Sequence, residues 1–297
     1  MNAVKRISVA MAIVTLWIVG ANAQSVMDPI KARLDGVDAR VGVAVIAPDG
    51  EVAALNNQHR FPLMSVMKLY QAVAVLDSVE RSATVSLDTP VRITPDMLHK
   101  DTWSPMRDSF PEGTVMPLAE VLRYSLQQSD NNACDILFDL FGSPARMDSV
   151  LRGKGLDHFA IAHSEDEMHR DVTLSYANSA TPFSVAELID RLLRWELLGV
   201  DETIFLVKTL SGCATGTTRI GGAPFPAGTT VGHKTGTGDK NARGKIIGVN
   251  DAAFVKVPGK APYILVVLVE DSGLSFPDTE QLIADISTIV YRYYLGQ

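Results

Sequence analysis

Ser65 and Lys68 are the first side chains in this sequence whose types and spacing suggest chemistry. They lie three residues apart at the start of an apolar helical run, so the hydroxyl and the amine share one helix face. A serine hydroxyl is a weak nucleophile unless a base takes its proton, and a desolvated lysine can be that base. Because both residue types are common, the spacing alone is only a weak indication of a nucleophile.

Two later motifs add further polar groups. Ser129, Asp130 and Asn131 follow a helical segment, and in isolation they are typical of a tight turn or a helix N-cap. Residues 234–238, Lys-Thr-Gly-Thr-Gly, close a β-rich run with a cation, hydroxyl donors and a backbone that a ligand can approach closely. In isolation they indicate a strand ending in a turn, and their glycines match neither phosphate-binding loop pattern.

The joint occurrence and order of the three motifs are more specific than any one of them. S-x-x-K, S-D-N and K-T-G are the signature set of class A β-lactamases and penicillin-binding proteins. The chain resembles a class A serine β-lactamase over essentially its whole length after the N-terminal segment. The resemblance implies an α+β fold, in which an antiparallel five-stranded sheet is flanked by the terminal helices and carries an inserted all-helical domain.

A fourth element separates this family from the penicillin-binding proteins. Residues 165–169, Glu-Asp-Glu-Met-His, are similar to the family's omega-loop stretch, and the resemblance implies that Glu165 is the general base that activates the deacylating water. Penicillin-binding transpeptidases lack that base and remain acylated, so Glu165 favours hydrolysis. The alternative is an exposed carboxylate in an acidic loop.

The omega-loop stretch also departs from the common family pattern. His169 stands where many class A enzymes have Asn, and Asn178 and His163 stand where they have an ion pair between Asp and Arg. That ion pair cannot form, and the stretch is similar to the PER-, VEB- and Bacteroides-type cephalosporinase branch. His163, Glu165 and His169 are also zinc-ligand types, but the spacing of the two histidines matches no known zinc motif. We therefore predict no metal and no cofactor.

The resemblance implies hydrolysis of penicillins and cephalosporins through a serine acyl-enzyme, which confers antibiotic resistance. Ser65 would attack the lactam carbonyl after losing its proton to Lys68 or, through water, to Glu165, and both bases stay open. Ser129, polarised by Lys234, would then protonate the departing nitrogen. The remaining residues implied to bind substrate or water are Trp103, Asn131, His169, Arg219, Thr235, Gly236 and Thr237.

Alternatives remain for two of these residues and for the function. Trp103 resembles an aromatic residue that forms a wall of the family's pocket, and the alternative is that it packs in the core. Arg219 resembles an arginine that holds the substrate carboxylate, and the alternative is that it is an ordinary surface arginine. Backbone N–H groups of Ser65 and Thr237 would form the oxyanion hole. A D,D-peptidase or penicillin-binding protein acylated without rapid turnover stays open, as does a catalytically inactive binding domain.

The elements that must position these groups follow from hydrophobic periodicity. Residues 41–46 and 51–55 predict a hairpin, and a final amphipathic helix would be capped by Asp278. Between them the pattern predicts helices and then strands. The helical runs include 67–76, 118–126, 134–141 and 185–198, and the later strands are 229–234, 244–249, 252–257 and 263–269.

This order predicts two structural domains. The sheet domain would combine residues 24–61 with residues 212–297. The helical domain, residues 62–211, would be inserted between them and would include an omega loop at about residues 162–178.

The sequence at the N-terminus predicts that the protein is exported. Lys5 and Arg6 precede the apolar residues 7–19, and Ala-Asn-Ala follows at 21–23, which is the layout of a secretory signal peptide ending at residue 23. The apolar run would rise only about 20 Å as a helix, too short for a hydrocarbon core of roughly 30 Å. We therefore predict a periplasmic protein with no stable membrane association, and a retained membrane anchor is the less favoured alternative.

Composition and net charge limit the classes of molecule that this protein can bind. The chain has 297 residues, is 46% hydrophobic and carries a formal net charge of −7, which becomes −9 when the two basic residues of the signal peptide are removed. These values exclude a disordered protein and disfavour nucleic acid as a partner. We predict a monomer that binds a small β-lactam substrate. Cys134 and Cys213 are compatible with a disulfide or with two thiols.

Overall fold

The computed structural model describes residues 21–295, and the side chains of residues 26–295. Its helices are α1 (Ala21–Leu34), α2 (Met67–Glu80), α3 (Pro105–Ser109), α4 (Leu118–Gln127), α5 (Asn131–Phe141), α6 (Pro144–Gly153), α7 (Glu165–Arg170), α8 (Pro182–Leu193), α9 (Val200–Ser211) and α10 (Phe276–Leu295). Its strands are β1 (Arg40–Ile46), β2 (Val52–Leu55), β3 (Phe61–Pro62), β4 (Pro90–Ile93), β5 (Thr114–Pro117), β6 (Phe159–Ala160), β7 (Ser179–Ala180), β8 (Thr230–Thr237), β9 (Ile246–Lys256) and β10 (Tyr263–Ser272). Residues 1–20 of the predicted signal peptide lie outside the described residues.

Five strands form one antiparallel sheet in the order β2-β1-β10-β9-β8. The first hairpin therefore pairs with a strand from the end of the chain, and the helical segments lie between them in sequence. Strand β8 is at the edge of the sheet, where Lys234 lies opposite Ala252 and Thr237 lies opposite Val249. The predicted α+β fold with a five-stranded antiparallel sheet is confirmed.

Apolar side chains cover both faces of this sheet. Successive residues of a strand point to opposite faces, so Val43 and Val45 join one buried cluster and Ala44 and Ile46 join the other. The first cluster also contains side chains of α1 and α10, and the second contains those of the central helices, with α8 packed on β1 and β10. The sheet is the middle layer of three, which explains why β9 and β10 are buried along almost their whole length.

Strand β9 differs from the sequence-based prediction. Residues 244–249 and 252–257 were expected to form two strands because Asn250 and Asp251 are typical turn residues. In the structure they lie inside one continuous strand and are fully buried. The Asn250 amide donates to the carbonyl oxygens of Pro62 at 2.7 Å and Leu63 at 3.0 Å, so a partner satisfies it and the strand continues.

Two helix boundaries also differ from the prediction. Helix α8 ends at Leu193, short of the expected residue 198, and Trp195 just beyond it has a left-handed φ of 62°. Helix α10 begins at Phe276, so Asp278 lies in its first turn and does not cap it. The hydroxyl of Ser275 accepts from the backbone N–H of Asp278 at 3.2 Å and occupies the capping place.

Among residues 21–295, no helix is both long enough and apolar enough to cross a bilayer. The predicted division into residues 24–61 with 212–297 and residues 62–211 stays a prediction.

Candidate active site

A cleft of about 470 Å³ opens between the central helices and the edge strand β8. Its walls bring together residues that lie far apart in the sequence. Of the residues singled out from the sequence, those that line it are Ser65, Trp103, Ser129, Asn131, Glu165, His169, Thr235 and Thr237. Lys68, Lys234, Arg219 and Gly236 are buried directly behind these walls.

Ser65 lies in a single 3-10 turn that leads into α2. The preceding residue, Met64, has a left-handed φ of 49°, which directs this turn against the sheet. Two glycines make the approach possible. A Cβ at Gly236 would lie 2.5 Å from the carbonyl oxygen of Leu63, and one at Gly248 would lie 2.7 Å from Met64 Cγ. The nucleophile candidate is therefore pressed against the backbone of β8.

Lys68 lies one helical turn after Ser65 and is fully buried. Its Nζ donates to Asn131 Oδ1 at 2.7 Å and to the carbonyl oxygen of Ser129 at 2.8 Å, and it lies 3.0 Å from Glu165 Oε1. The hydroxyl of Ser65 donates to the same Glu165 oxygen at 3.4 Å. Glu165 is therefore within reach of both the nucleophile candidate and the buried amine.

Ser129 and Lys234 form a second polar pair across the cleft. Ser129 has a left-handed φ of 56° in the short connection between α4 and α5, and Lys234 Nζ donates to its hydroxyl at 2.9 Å. Burial, followed by the positive charge of Lys68, lowers the pKa of Lys234 to about 7. The turn interpretation of the motif holds beside the chemical one, because Asp130 is the N-cap of α5 and accepts from the N–H of Ala133.

Glu165 is the first residue of α7, and Asp135 fixes it in place. The two carboxylate oxygens of Asp135 accept from the backbone N–H groups of Glu165 and Asp166, each at 2.8 Å. Burial, followed by the charge of Glu165, raises the pKa of Asp135 to about 7. Asp135 was not predicted as a site residue, although its position four residues after Asn131 on α5 places both on one helix face.

Asn178 anchors the other end of the same loop. Its Oδ1 accepts from the backbone N–H groups of Ala162 at 2.7 Å and His163 at 3.0 Å, and its Nδ2 donates to the His163 carbonyl at 2.8 Å. These neutral hydrogen bonds stand where the sequence lacks the usual ion pair. The alternative of an exposed loop carboxylate is wrong for Glu165, because only 9% of that residue is exposed.

Arg219 is 2% exposed, so it is not an ordinary surface arginine. Its Nη1 donates to the carbonyl oxygens of Gly236 at 3.0 Å and Asn250 at 2.8 Å, and its Nη2 donates to Thr237 Oγ1 at 2.7 Å. Its Nε donates to Glu280 at 2.9 Å. The structure therefore places the guanidinium behind Thr237, which forms the cleft wall in front of it.

The rim of the cleft carries the indole ring of Trp103 and the imidazole ring of His169. The Trp103 ring is 61% exposed and its Nε1 donates to the Gln128 carbonyl at 2.9 Å, so the core-packing alternative is wrong. His169 is exposed and also lines the cleft. The described part of the chain holds no cluster of three or more His, Cys, Asp or Glu side chains arranged for a metal.

A hydrogen-bonded clamp joins the omega loop to the loop between β8 and β9. The Tyr176 hydroxyl donates to Asp271 Oδ1 at 2.5 Å, and Asn241 Nδ2 donates to the same oxygen at 2.9 Å and to the tyrosine oxygen at 3.1 Å. Ser175 and Asp239, which lie next to these residues, line the cleft. This clamp was not predictable from the sequence, because its three members come from distant segments without local periodicity.

We expect Tyr176→Phe to lower the free energy of unfolding by about 1 kcal/mol, because Asp271 loses its hydroxyl donor. Urea unfolding followed by circular dichroism measures this change. The matched control is Tyr124→Phe, since the Tyr124 hydroxyl makes no side-chain hydrogen bond within residues 26–295 and its loss should leave stability unchanged. Equal effects of the two substitutions would show that the clamp adds no stability.

Comparisons with known proteins agree with this geometry. The model of the family described as the beta-lactamase enzyme family matches residues 25–294. A β-lactamase of Bacteroides uniformis is 36% identical over 264 residues, which cover 88% of each chain. The extended-spectrum β-lactamase PER-1 of Pseudomonas aeruginosa is 32% identical over 270 residues, covering 90% of this chain and 87% of that protein.

Solved structures show the same relationship. A class A β-lactamase of Bacteroides cellulosilyticus superimposes with a TM-score of 0.88 at 34% identity, covering 93% of this chain and 99% of that one. Its similarity extends over the sheet and the helical layer alike. The chain belongs to the β-lactamase enzyme family, among the class A serine enzymes.

Proposed function

We propose that this β-lactam hydrolase works in two halves, with an acyl-enzyme on Ser65 and its hydrolysis by a water that Glu165 activates. The observation that carries the proposal is the position of one carboxylate oxygen of Glu165, 3.4 Å from Ser65 Oγ and 3.0 Å from Lys68 Nζ. A base in that position can serve both the nucleophile and a water beside it.

In the first half, Ser65 Oγ bonds to the lactam carbonyl carbon and its proton passes to Lys68 or, through water, to Glu165. Backbone N–H groups of Ser65 and Thr237 stabilise the oxyanion, and the close approach of Gly236 to Leu63 supports this pairing of segments. The C–N bond then breaks and the nitrogen takes a proton.

Ser129 is the proton donor to that nitrogen. Because Lys234 Nζ donates to Ser129 Oγ, the hydroxyl hydrogen of Ser129 can point into the cleft. Lys68 Nζ lies against the Ser129 carbonyl and can return a proton to this side of the cleft.

In the second half, Glu165 takes a proton from water, whose oxygen attacks the acyl carbon and releases Ser65. Asn131 and His169 also line the cleft, where they can orient the water and the acyl amide. A protein lacking this carboxylate would stop at the acyl stage, which is the behaviour of the penicillin-binding alternative.

The substrate carboxylate binds against the hydroxyls of Thr235 and Thr237. Arg219 acts from behind as a positioning residue, since its Nη2 orients the Thr237 hydroxyl. Lys234 is buried beside these hydroxyls, and its positive charge can attract the anionic ligand within a net acidic protein.

We expect kcat/KM for an anionic β-lactam to fall as the pH rises above about 7, the pKa of Lys234. Above that pH the Lys234 amine loses its proton, so its attraction for the carboxylate and its hold on Ser129 weaken. The pH profile of kcat/KM reports the ionisations of the free enzyme.

Lys234→Arg keeps the charge at high pH and should move the alkaline limb upward by at least about one pH unit. Lys240→Arg, at an exposed lysine in the next loop, is the matched control and should leave the profile unchanged. An alkaline limb that is identical in wild type and Lys234→Arg would contradict the role given to this amine.

We infer a substrate profile that is either that of a cephalosporinase or that of an extended-spectrum enzyme. The exposed Trp103 ring offers a flat surface on one rim, and the relative PER-1 carries the extended-spectrum description. Hydrolysis rates for a penicillin, an early cephalosporin, an oxyimino-cephalosporin and a carbapenem test this. In an extended-spectrum enzyme the oxyimino compound should retain kcat/KM within about tenfold of the early cephalosporin, and a deficit above roughly a hundredfold would contradict that alternative.

The mature chain acts as a monomer in the periplasm after removal of residues 1–23. Mass spectrometry of the periplasmic fraction should find a polypeptide that starts at Gln24, and light scattering should give a single-chain mass. A full-length chain in the membrane fraction would contradict the export proposal.

A further inference from the structure

A second cluster of reactive side chains lies beside the cleft and has no part in the mechanism above. Cys213 follows helix α9 and is partly exposed. Its sulfur lies 3.5 Å from Thr215 Oγ1, and it is not joined to Cys134. Cys134 is fully buried in α5, so the two thiols have opposite environments.

Cys213 belongs to an ordered series of thiol, imidazole and carboxylate. The His233 ring lies near enough to the thiol to influence its ionisation, and its Nδ1 lies 2.9 Å from Asp251 Oδ1. Asp251 is fully buried, and its second oxygen accepts from the backbone N–H of Ile220 at 3.1 Å. The carboxylate thus holds the imidazole in one orientation, as the third member of a nucleophile–base pair does.

Charges in this cluster favour the thiolate. Burial opposes protonation of His233, but the charge of Asp251 and the hydrogen bond to it raise the pKa of His233 to about 10. Burial likewise opposes ionisation of Cys213, but the interaction with His233 and the positive charge of Lys234 lower the pKa of the thiol to about 7. The thiolate is the reactive form of cysteine.

Direct contacts through Thr215 connect the Cys213 cluster to the substrate site. The Thr215 hydroxyl, next to the sulfur, lies 2.5 Å from the hydroxyl of Thr235, and both residues line the cleft. Gly216 has a left-handed φ of 56°, and a Cβ there would lie 2.7 Å from Thr235 Cγ2. A group added at Cys213 can therefore displace Thr235 through the contacts of Thr215.

We propose that Cys213 is a covalent modification site that exchanges with small disulfides and thereby lowers β-lactam hydrolysis. The Cys213 thiolate attacks one sulfur of a disulfide R–S–S–R, so that a Cys213–S–S–R bond forms and the original S–S bond breaks. The departing sulfur leaves with the electron pair as RS⁻, while the thiol proton stays on His233. The protein sulfur is oxidised and the departing sulfur is reduced, and no other reagent is consumed.

Glutathione disulfide is a suitable probe for this exchange. We expect intact-mass spectrometry to find one glutathionyl group on the wild type and on Cys134→Ala, and none on Cys213→Ser. Cys134 is the internal reference, because burial raises its pKa well above that of an ordinary thiol. His233→Gln should slow adduct formation, since the imidazolium no longer favours the thiolate.

The adduct should lower kcat/KM for a chromogenic cephalosporin by about tenfold or more, and dithiothreitol should restore it. Unmodified Cys213→Ser should hydrolyse at the wild-type rate and keep that rate with glutathione disulfide. Near-ultraviolet circular dichroism of the adduct should match that of the unmodified protein.

Three results would overturn the inference: an adduct only on Cys134, an adduct on Cys213 with unchanged hydrolysis, or loss of the near-ultraviolet signal, which would mean unfolding. These outcomes are separate from those that test the reaction mechanism. Adduct formation is read by mass without substrate, whereas the mechanism fails only if the unmodified enzyme does not use Ser65 and Glu165.

Discussion

Ser65→Ala should lower kcat for any β-lactam by roughly 10⁴-fold or more. The activity that remains would come from substrate binding and the oxyanion hole alone. The substitution removes the oxygen that bonds to the carbonyl carbon. It leaves the contacts of Lys68 with Asn131, Ser129 and Glu165 in place. Steady-state hydrolysis of a chromogenic cephalosporin measures the loss, and intact mass should show no covalent adduct.

The matched control is Ser211→Ala, which removes an exposed hydroxyl at the end of α9. It should hydrolyse at the wild-type rate, and the melting temperatures of both variants should match the wild type within a few degrees. Rapid multiple turnover by Ser65→Ala would remove the nucleophile from the mechanism.

Glu165→Gln should trap the acyl-enzyme. The amide keeps the size of the carboxylate but cannot take a proton from water, so deacylation should slow by roughly 10³-fold or more while Ser65 is still acylated. Intact-mass spectrometry should show a stable increase equal to one β-lactam, located on Ser65 by peptide mapping. A burst of one equivalent followed by almost no turnover is the kinetic counterpart.

Glu167→Gln is the control in the same helix. Glu167 accepts from the backbone N–H of Ser164 in a capping box, and glutamine can make that hydrogen bond, so the helix should persist with wild-type turnover. Fast turnover by Glu165→Gln would assign deacylation to another group. Absence of any adduct would instead assign Glu165 an indispensable part in acylation, which separates the two open bases.

The groups that do chemistry were predictable because each lies in a short motif whose residues are neighbours in the chain. Ser65 and Lys68 share a helix turn, and residues 234–237 share a strand. The five-stranded sheet was predictable from alternating and continuous apolar runs. Its middle was misjudged because Asn250 and Asp251 look like turn residues until their partners, Pro62, Leu63 and His233, are known.

The supporting groups were not predictable for the same physical reason. Asp135 reaches the backbone of Glu165 across 30 residues of chain, and Tyr176 reaches Asp271 across 95. No local propensity signals such contacts. Arg219 shows the intermediate case, in which a local match indicated the right neighbourhood but burial placed the guanidinium behind Thr237.

The anchoring of Glu165 determines whether the enzyme can complete its catalytic cycle. The carboxylate is held by Asp135 at one end of its loop and by Asn178 at the other, while Ser65 and Lys68 are fastened to the sheet and to α2 by separate contacts. With Lys68 as the acylation base, loosening the loop would leave acylation of Ser65 intact and would stop hydrolysis of the acyl-enzyme. A compound that displaces this loop would convert an enzyme with multiple turnovers into a protein that binds one antibiotic molecule covalently and is then inactive.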